Sequence, residues 1–365
     1  MKIAIVSTVG LIYDGITSVI MTYLNAMDLS DLDIYIIGTI EVKPSIRSNL
    51  EKLGCKVIYM PSRRINTISY FMSLVRFIRK NKIKVIHAHG NSGTLAIEML
   101  AGWLGGCKVR IAHSHNTRCD QVKADKLLRP LFNILYTKAV ACSKGAGVWL
   151  FGNRKFTVLN NGRNIERFSY NVEVRNKVRN ELGIGDSIAI GHVGGFVPQK
   201  NHKFLLEIYK SILEINPDVK LFMIGDGLLR AEIERKAFEY GIKDKIIFTG
   251  NSDCVQDLLQ AMDGMLLPSF FEGLPLVTVE WQISGLPCVI SDSITKECAL
   301  TELVEFCSLN SSPDEWALKI LNLIHYYDRG TQNKFMKDKV IKSGFDIREN
   351  ADKLRSIYFD HKMEE

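Results

Sequence analysis

The sequence predicts two doubly wound α/β domains in tandem, on three observations. Short apolar, strand-like runs alternate with amphipathic helical stretches along the chain. The alternation restarts after a polar stretch poor in aromatics, Glu166 to Gly185. The 365 residues are also too many for one ordinary hydrophobic core. The expected division is a first domain over 1–170, a second over 171–345, and a terminal helix in 346–365 that packs back towards the first.

Taken in order, residues 2–7 read as a buried strand, with a loop at Asp14-Gly15-Ile16-Thr17 opening a helix from Ser18 to Ala26. A loop between a first strand and a helix start is where doubly wound folds hold phosphate. Gly10 and Gly15 do not make the G-x-G-x-x-G fingerprint, which counts against a dinucleotide-dependent dehydrogenase. Asp33 to Gly38 is the second strand, and Asp31-Leu-Asp33 reads as the turn into it rather than a metal motif. Lys56 to Met60 is the third. Ile65 to Lys80 is helical by spacing, with Ile68, Phe71, Met72, Leu74, Val75 and Ile78 apolar and Arg76, Arg79 and Lys80 cationic. Its apolar face is expected in the core; the alternative lays the helix on anionic lipid with Tyr70 and Phe71 at the boundary.

Lys84 to Gly90 and Val109 to Asn116 read as strands that end in histidine pairs, His87 and His89, then His113 and His115. Polar residues at the carboxyl ends of parallel strands face the binding crevice of an open sheet. No cysteine or acid joins these histidines at zinc-ligand spacing, so contacts to substrate hydroxyls or diphosphate are expected instead. Ala139 to Ser143 and Phe156 to Gly162 close the first half.

The second half opens with a strand into a glycine turn, Ser187 to Gly195, then Pro198-Gln-Lys200 and a helix from Phe204 to Ile215. Further strands are read at Asp218–Gly225, Lys245–Gly250, Gly264–Pro268 and Cys288–Ser291, with helices between them. The segment Ser269 to Glu280 follows the fourth of these runs. It carries Glu272 in a loop, a helix start at Pro275 as first helical residue, and Glu280 inside that helix. Free N–H groups at such a start favour an anion or sugar hydroxyls beside Glu272. The last segment, Arg348 to Phe359, is helical by pattern.

Bulk properties narrow the class. The formal net charge is +7, yet residues 1–165 hold 23 Lys/Arg against 9 Asp/Glu, and residues 166–365 hold 24 against 31. A basic first half suits a polyanion or anionic membrane surface, unless these are simply solvated lysines. Met1-Lys2 runs directly into a strand, so no signal peptide is expected, and no apolar run approaches the ~20 residues of a membrane span. Eight scattered cysteines without a Cys-x-x-Cys pair fit reduced thiols in a cytosol.

These residues resemble the GT-B glycosyltransferases, in the retaining group that serves capsule and exopolysaccharide synthesis. The matching elements are Pro-Ser-Phe-Phe-Glu272-Gly-Leu-Pro with Glu280 eight residues on, Gly225-Asp-Gly227, Val197-Pro-Gln-Lys200, Asn161-Gly162 followed by Phe168, and Ser143 after its strand. Ile-Ala-His113-Ser-His115-Asn and Ser291-Asp-Ser-Ile-Thr-Lys-Glu point to the exopolysaccharide and capsule subgroup. The resemblance spans nearly the whole chain and implies two Rossmann-like domains with a cleft between them.

The resemblance also implies roles. Glu272, with the amides of Gly273 and Leu274, would hold donor-sugar hydroxyls, and Glu280 would accept from the ribose. Lys200 would neutralise the departing diphosphate, approached from the other domain by Gly15. Gly194, Gly195, Gly225, Gly227 and Asn251 complete the expected donor site. His115 aligns with the family's donor-contacting histidine, with His113 as runner-up, so His115, Lys200 and Glu272 form the expected catalytic set. His89, His113 and Arg163 are candidate acceptor or diphosphate contacts. Two positions depart from the family's pattern: Gly195 stands where an arginine usually pairs with the lysine, and Arg163 where a small apolar residue is usual. Arg163 or His192 is a candidate to replace the missing charge.

The function implied is transfer of a sugar, with retention, from a nucleotide diphosphate donor (a UDP-sugar) to a lipid-linked glycan acceptor. No metal and no cofactor are expected, and no nucleic acid partner. The expected location is the cytoplasm, with peripheral contact at the inner face of the cell membrane as an option. A UDP-sugar 2-epimerase of the same architecture and a catalytically weak sugar-nucleotide-binding protein are the alternatives.

Overall fold

The computed structural model describes residues 1–12, 14–39 and 41–360, and among these every strand pairing inside the two sheets is parallel. The first sheet and its helices run β1 (Lys2–Ser7), α1 (Gly15–Ala26), β2 (Asp33–Gly38), α2 (Pro44–Lys52), β3 (Lys56–Tyr59), α3 (Thr67–Asn81) and β4 (Val85–His89). They continue with α4 (Ala96–Gly105), β5 (Val109–Ser114), α5 (Val122–Leu135), β6 (Lys138–Ala141), α6 (Lys144–Phe151) and β7 (Thr157–Val158).

The second set runs α7 (Ile165–Phe168), α8 (Val172–Glu181), β8 (Ile188–Val193), α9 (His202–Ile215), β9 (Val219–Ile224), α10 (Arg230–Glu239) and β10 (Ile246–Gly250). It closes with α11 (Val255–Ala261), β11 (Gly264–Leu267), α12 (Leu276–Ile283), β12 (Cys288–Ser291), β13 (Val304–Cys307), α13 (Pro313–Tyr326) and α14 (Arg329–Lys342). A last helix, α15 (Ile347–Phe359), belongs to the first unit.

Strand order is β3-β2-β1-β4-β5-β6-β7 in one sheet and β10-β9-β8-β11-β12-β13 in the other. Each order reverses direction once, between β1 and β4 and between β8 and β11. In open α/β sheets that switch point, at the carboxyl ends of the strands, is the usual ligand crevice. The two compact units are Met1–Gly162 with Asp346 onwards, and Arg163–Phe345. The sequence reading set its divisions at 170/171 and 345/346; residues 361–365 of its terminal segment lie outside the described residues.

The local causes of these elements are readable. Asp14 caps α1 by accepting from the Thr17 N–H at 2.8 Å, Asn66 caps α3 through Ser69, and Ser143 caps α6 through Ala146. Strands β4, β11 and β12 are buried along their whole length, as strands covered by helices on both faces must be. Along α15, Ile347, Ala351, Leu354 and Tyr358 fall on one face and are buried with Ile20, Tyr23 and Leu24 of α1. Burying each large side chain of this kind contributes about 1.5–3 kcal/mol.

Three details differ from expectation. Strand β13 was not foreseen: only Val304 and Phe306 to Cys307 supply apolar character, and pairing with β12 rather than pattern makes it a strand. Pro275 is the N-cap of α12, one position before the first helical residue, because its ψ of 105° is still extended. Helix α3 divides its apolar residues between two faces. Tyr70, Leu74, Val75 and Ile78 are buried, whereas Ile68 and Met72 are exposed.

Candidate active site

In the second unit, three loops meet at the carboxyl ends of β8, β9 and β11. After β8 the chain passes Gly194 and Gly195 into a 3₁₀ turn, Pro198–Lys200, and Asn201 then adopts a left-handed conformation to start α9. The Lys200 ammonium donates to Glu272 Oε1 at 2.6 Å. Gln199 Nε2 donates to Glu272 Oε2 at 3.1 Å and to the Phe271 carbonyl at 2.8 Å, and the Phe270 N–H returns a bond to the Gln199 carbonyl. The loop after β11 is thereby stitched to the loop after β8. Glu272 is held by both a cation and an amide.

The turn after β9 fits against the first of these loops at van der Waals limits. Gly225 has φ +141, and a Cβ there would sit 2.2 Å from the Gly194 carbonyl oxygen, so only glycine can occupy it. A Cβ on Gly194 would press on Lys200 and on His192 Nε2. Gly195 is different. A Cβ there would meet only the Asp226 carbonyl, at 3.5 Å. Gly273 has open space around its Cα, and Asn251 is exposed just beyond β10.

Glu280 lies on α12 with its carboxylate nearly out of solvent. Arg163 Nε donates to Glu280 Oε1 at 2.7 Å, with the two side chains 11% and 13% exposed. Burial pushes the Glu280 carboxyl up from its ordinary value, and the Arg163 charge beside it works the other way. His192 is fully buried and its Nδ1–H donates to the Leu266 carbonyl at 2.9 Å. Since a carbonyl only accepts, the neutral ring keeps Nε2 as a bare acceptor. Burial, with the neighbouring His202, holds His192 well below the usual histidine range. Neither candidate therefore stands ready to replace a cation at Gly195: Arg163 is engaged with Glu280, and His192 is neutral.

In the first unit, four histidines line the carboxyl ends of β4, which borders the switch point, and of its neighbour β5. His87 and His89 project from one face of β4, as residues two apart must, and His113 and His115 do so from β5. They form two in-plane pairs. His87 Nε2 meets His113 Nδ1 at 3.1 Å with rings 7° apart, and His89 Nδ1 meets His115 Nε2 at 2.8 Å with rings 15° apart. The pairs then stack, at 4.2 Å from His87 to His89 and from His113 to His115. His87 Nδ1 is bonded to the Tyr358 hydroxyl at 2.9 Å, and the His115 N–H donates to Asn91 Oδ1. His113 Nε2 and His115 Nδ1 have no partner among the described residues.

Burial drives all four rings towards neutrality. His87 and His115 are pushed down to about 3, and His89 and His113 lie well below the usual range. Candidate ligand atoms of His87, His89 and His113 lie within 4.8 Å of one another. However, both nitrogens of His87 and Nδ1 of His89 and of His113 are already engaged in hydrogen bonds. Gly15 opens α1 in the same unit with clear space at its Cα.

The structure thus groups Lys200, Glu272, Gly194, Gly195, Gly225 and Gly227 in one loop cluster, puts Glu280 with Arg163, and gathers His89, His113 and His115 in the other unit. Sequence reading did not single out Gln199 or Tyr358, and took His87 only as one of the four strand-end histidines, without a role of its own. The spacing of His87 from His89 was a usable signal for the last. Nothing local marked the others.

Comparison with known proteins now adds to this geometry. The sequence profile of the family described as Glycosyl transferases group 1 matches residues 174–338. The EpsF protein of Bacillus subtilis strain 168, named as a glycosyltransferase, is 31% identical over 364 residues, covering 96% of this chain and 94% of its own. The Escherichia coli UDP-Gal:alpha-D-GlcNAc-diphosphoundecaprenol alpha-1,3-galactosyltransferase is 26% identical, covering 81% of this chain and 80% of its own. Among solved structures, Anabaena HepE in complex with UDP superposes with a TM-score of 0.79 at 17% identity, over 98% of this chain and 99% of that one. The Bacillus subtilis and Escherichia coli relatives bear the names of transferases, not epimerases, and the shared fold is the GT-B one. With two Rossmann-like parallel sheets and a full-length relative of this identity, the chain belongs to the group 1 glycosyltransferases.

Proposed function

We propose that this glycosyltransferase moves a sugar from a UDP-sugar to a lipid-linked glycan acceptor, with retention of the anomeric configuration and without a metal. The observation that carries the reading is the Lys200–Glu272 pair on the loops after β8 and β11. In this reading the ammonium neutralises charge on the departing diphosphate, where fixed cations act most strongly on a transition state. Glu272, with the amides of Gly273 and Leu274, takes hydroxyls of the donor sugar. Glu280 takes those of the ribose. The diphosphate oxygen receives the acceptor's proton on the face from which it leaves. Support for the nucleotide comes from HepE, solved with UDP and with UDP-glucose, and for donor and acceptor together from the Escherichia coli enzyme's name.

A surface of the first unit supports contact with an anionic membrane. Ile65 just before α3, Ile68 on it, and Leu127 and Ile134 on α5 are largely exposed, at 78–88%. Arg64, Arg76, Lys123 and Lys126 stand exposed among them. Apolar side chains interleaved with cations suit a headgroup boundary. Among the described residues, no helix is long and apolar enough to cross a membrane.

The test is incubation of the protein with UDP-sugars and a diphosphate-linked lipid acceptor, with and without EDTA. UDP release that requires the acceptor, survives chelation and yields the donor's anomer is the expected result. Interconversion of free UDP-sugars, or binding without turnover, would overturn the reading.

A further inference from the structure

Arg163 is the first residue of the second unit, and its N–H bonds the Phe345 carbonyl, the last residue of that unit, at 2.8 Å. Its backbone is therefore fixed where both crossings of the chain run side by side. Its guanidinium reaches α12, where Nε holds Glu280 Oε1. Among the described residues, Oε2 of that carboxylate receives no hydrogen bond. One oxygen is thus clamped from the side and the other is left to accept. A carboxylate held this way cannot rotate freely, so the direction of its remaining lone pairs is set before any ligand arrives.

We propose that Arg163 is a positioning residue for the nucleotide's ribose: by clamping Oε1 of Glu280, it presents Oε2 to the ribose hydroxyls. This deepens the donor-site reading and rests on it. An isolated carboxylate in so buried a place is costly to keep ionised, and Arg163 supplies the adjacent charge. Among the described residues, no other charged group on the elements packed against α12 makes a hydrogen bond to Glu280, and on α14 Lys334, Asp338 and Lys342 are exposed while Lys339 pairs with Glu302. Arg167 on α7 favours the carboxylate from a distance but bonds Gln256 and the Asp253 carbonyl. Arg329 on α14 is committed to the carbonyls of Ser284, Gln260 and Met262. Glu166 on α7 and Lys296 and Glu297 beside Cys298 are exposed, and Cys298 is a buried thiol held in its neutral form by that burial.

The pH behaviour follows. With Arg163 removed, burial is opposed only by the more distant Arg167, and the Glu280 carboxyl titrates higher. The ionised form then dominates only above that raised value, so ribose recognition in the variant should recover as pH rises.

The experiment compares binding of UDP and 2′,3′-dideoxy-UDP by calorimetry, in wild type, Arg163→Ala and Arg163→Lys. The preference of wild type for UDP should be about tenfold or more, the size of a hydrogen bond to a charged group. Arg163→Ala should lose most of that preference near neutral pH while binding dideoxy-UDP as wild type does. Arg163→Lys, which keeps a cation without the fork, should restore part of it. If Arg163→Ala does not fold, Arg163→Gln takes its place, with the same expected loss. A variant that keeps the full preference at every pH overturns the role of Arg163 alone. A wild type with no preference overturns the ribose role of Glu280, and the proposal with it.

Discussion

The switch points of the two sheets share one topology and carry opposite chemistry. At the ends of β4 and β5 four rings, three of them buried, are neutral and bonded in two pairs. At β8, β11 and α12 the groups are charged and paired, Lys200 with Glu272 and Arg163 with Glu280. Burial explains the contrast. Full desolvation drives an imidazole to its neutral form, which can still hydrogen-bond on both sides. Lysine, arginine and carboxylate keep their charge only where a partner or some solvent remains. Fixed charge is what a diphosphate requires. A neutral, donor-and-acceptor surface is what hydroxyls require.

The largest effect should come from breaking the charged side. Lys200→Ala removes the cation beside Glu272 and should lower kcat/KM for sugar transfer by about 10²–10³-fold, the usual size of losing one preorganised stabilising group. Steady-state assay with a fixed acceptor measures it, and a loss below tenfold would place the charge elsewhere.

Acid should break the neutral side. In the folded protein His87 and His115 titrate near 3, while unfolded histidine titrates near 6.5. The unfolded chain then binds more protons between those values. Stability is therefore full above about 6.5 and falls as pH drops towards 3, by up to about 1.4 kcal/mol per histidine per pH unit. Urea midpoints between pH 7 and 5 report this, and a flat profile would mean that the cluster tolerates charge in place.

The contrast can be sharpened at Gly195. With Arg163 held by Glu280 and His192 neutral, a new cation there has no rival. Gly195→Arg should raise the transfer rate by about one to two powers of ten, the value of one charge-assisted contact. The Cβ meets nothing closer than 3.5 Å, so the backbone need not shift. No gain in rate would show that the charge is already supplied.

The smallest effect is structural. Tyr358→Phe removes the hydroxyl bonded to His87 and leaves a buried ring nitrogen unpaired, at a cost of about 1–3 kcal/mol in denaturant unfolding. Unchanged stability would mean that water or a rotated ring satisfies His87.

Much of the fold was legible because its signals are local. Apolar runs of four to six residues ending in Gly, His or Ser marked the strands, and β9, β10, β11 and β12 begin within one residue of their expected positions. β13 escaped because Glu305 interrupts it and its stability lies in pairing with β12. The exposed apolar residues of α3 were read as core, since spacing gives a face but not what covers it. Of the site, the glycines, Lys200, Glu272 and Glu280 were visible as motif residues. Their partners were less so. His192 as a source of charge is disfavoured by its full burial and by the neighbouring His202, against which the bond to the Leu266 carbonyl works only in part.

By itself the sequence determined the class of protein, two doubly wound units, and the inventory of charged and polar groups at the strand ends. Composition and periodicity act over a few residues, so they are fixed as soon as the chain is written. Which group meets which was decided only by tertiary structure. Arg163 reaches Glu280 across 117 positions of sequence, and Tyr358 reaches His87 across 271. Pairings at such separations, and the burial that turns a histidine neutral or a carboxylate costly, exist only once the sheets have formed and excluded water.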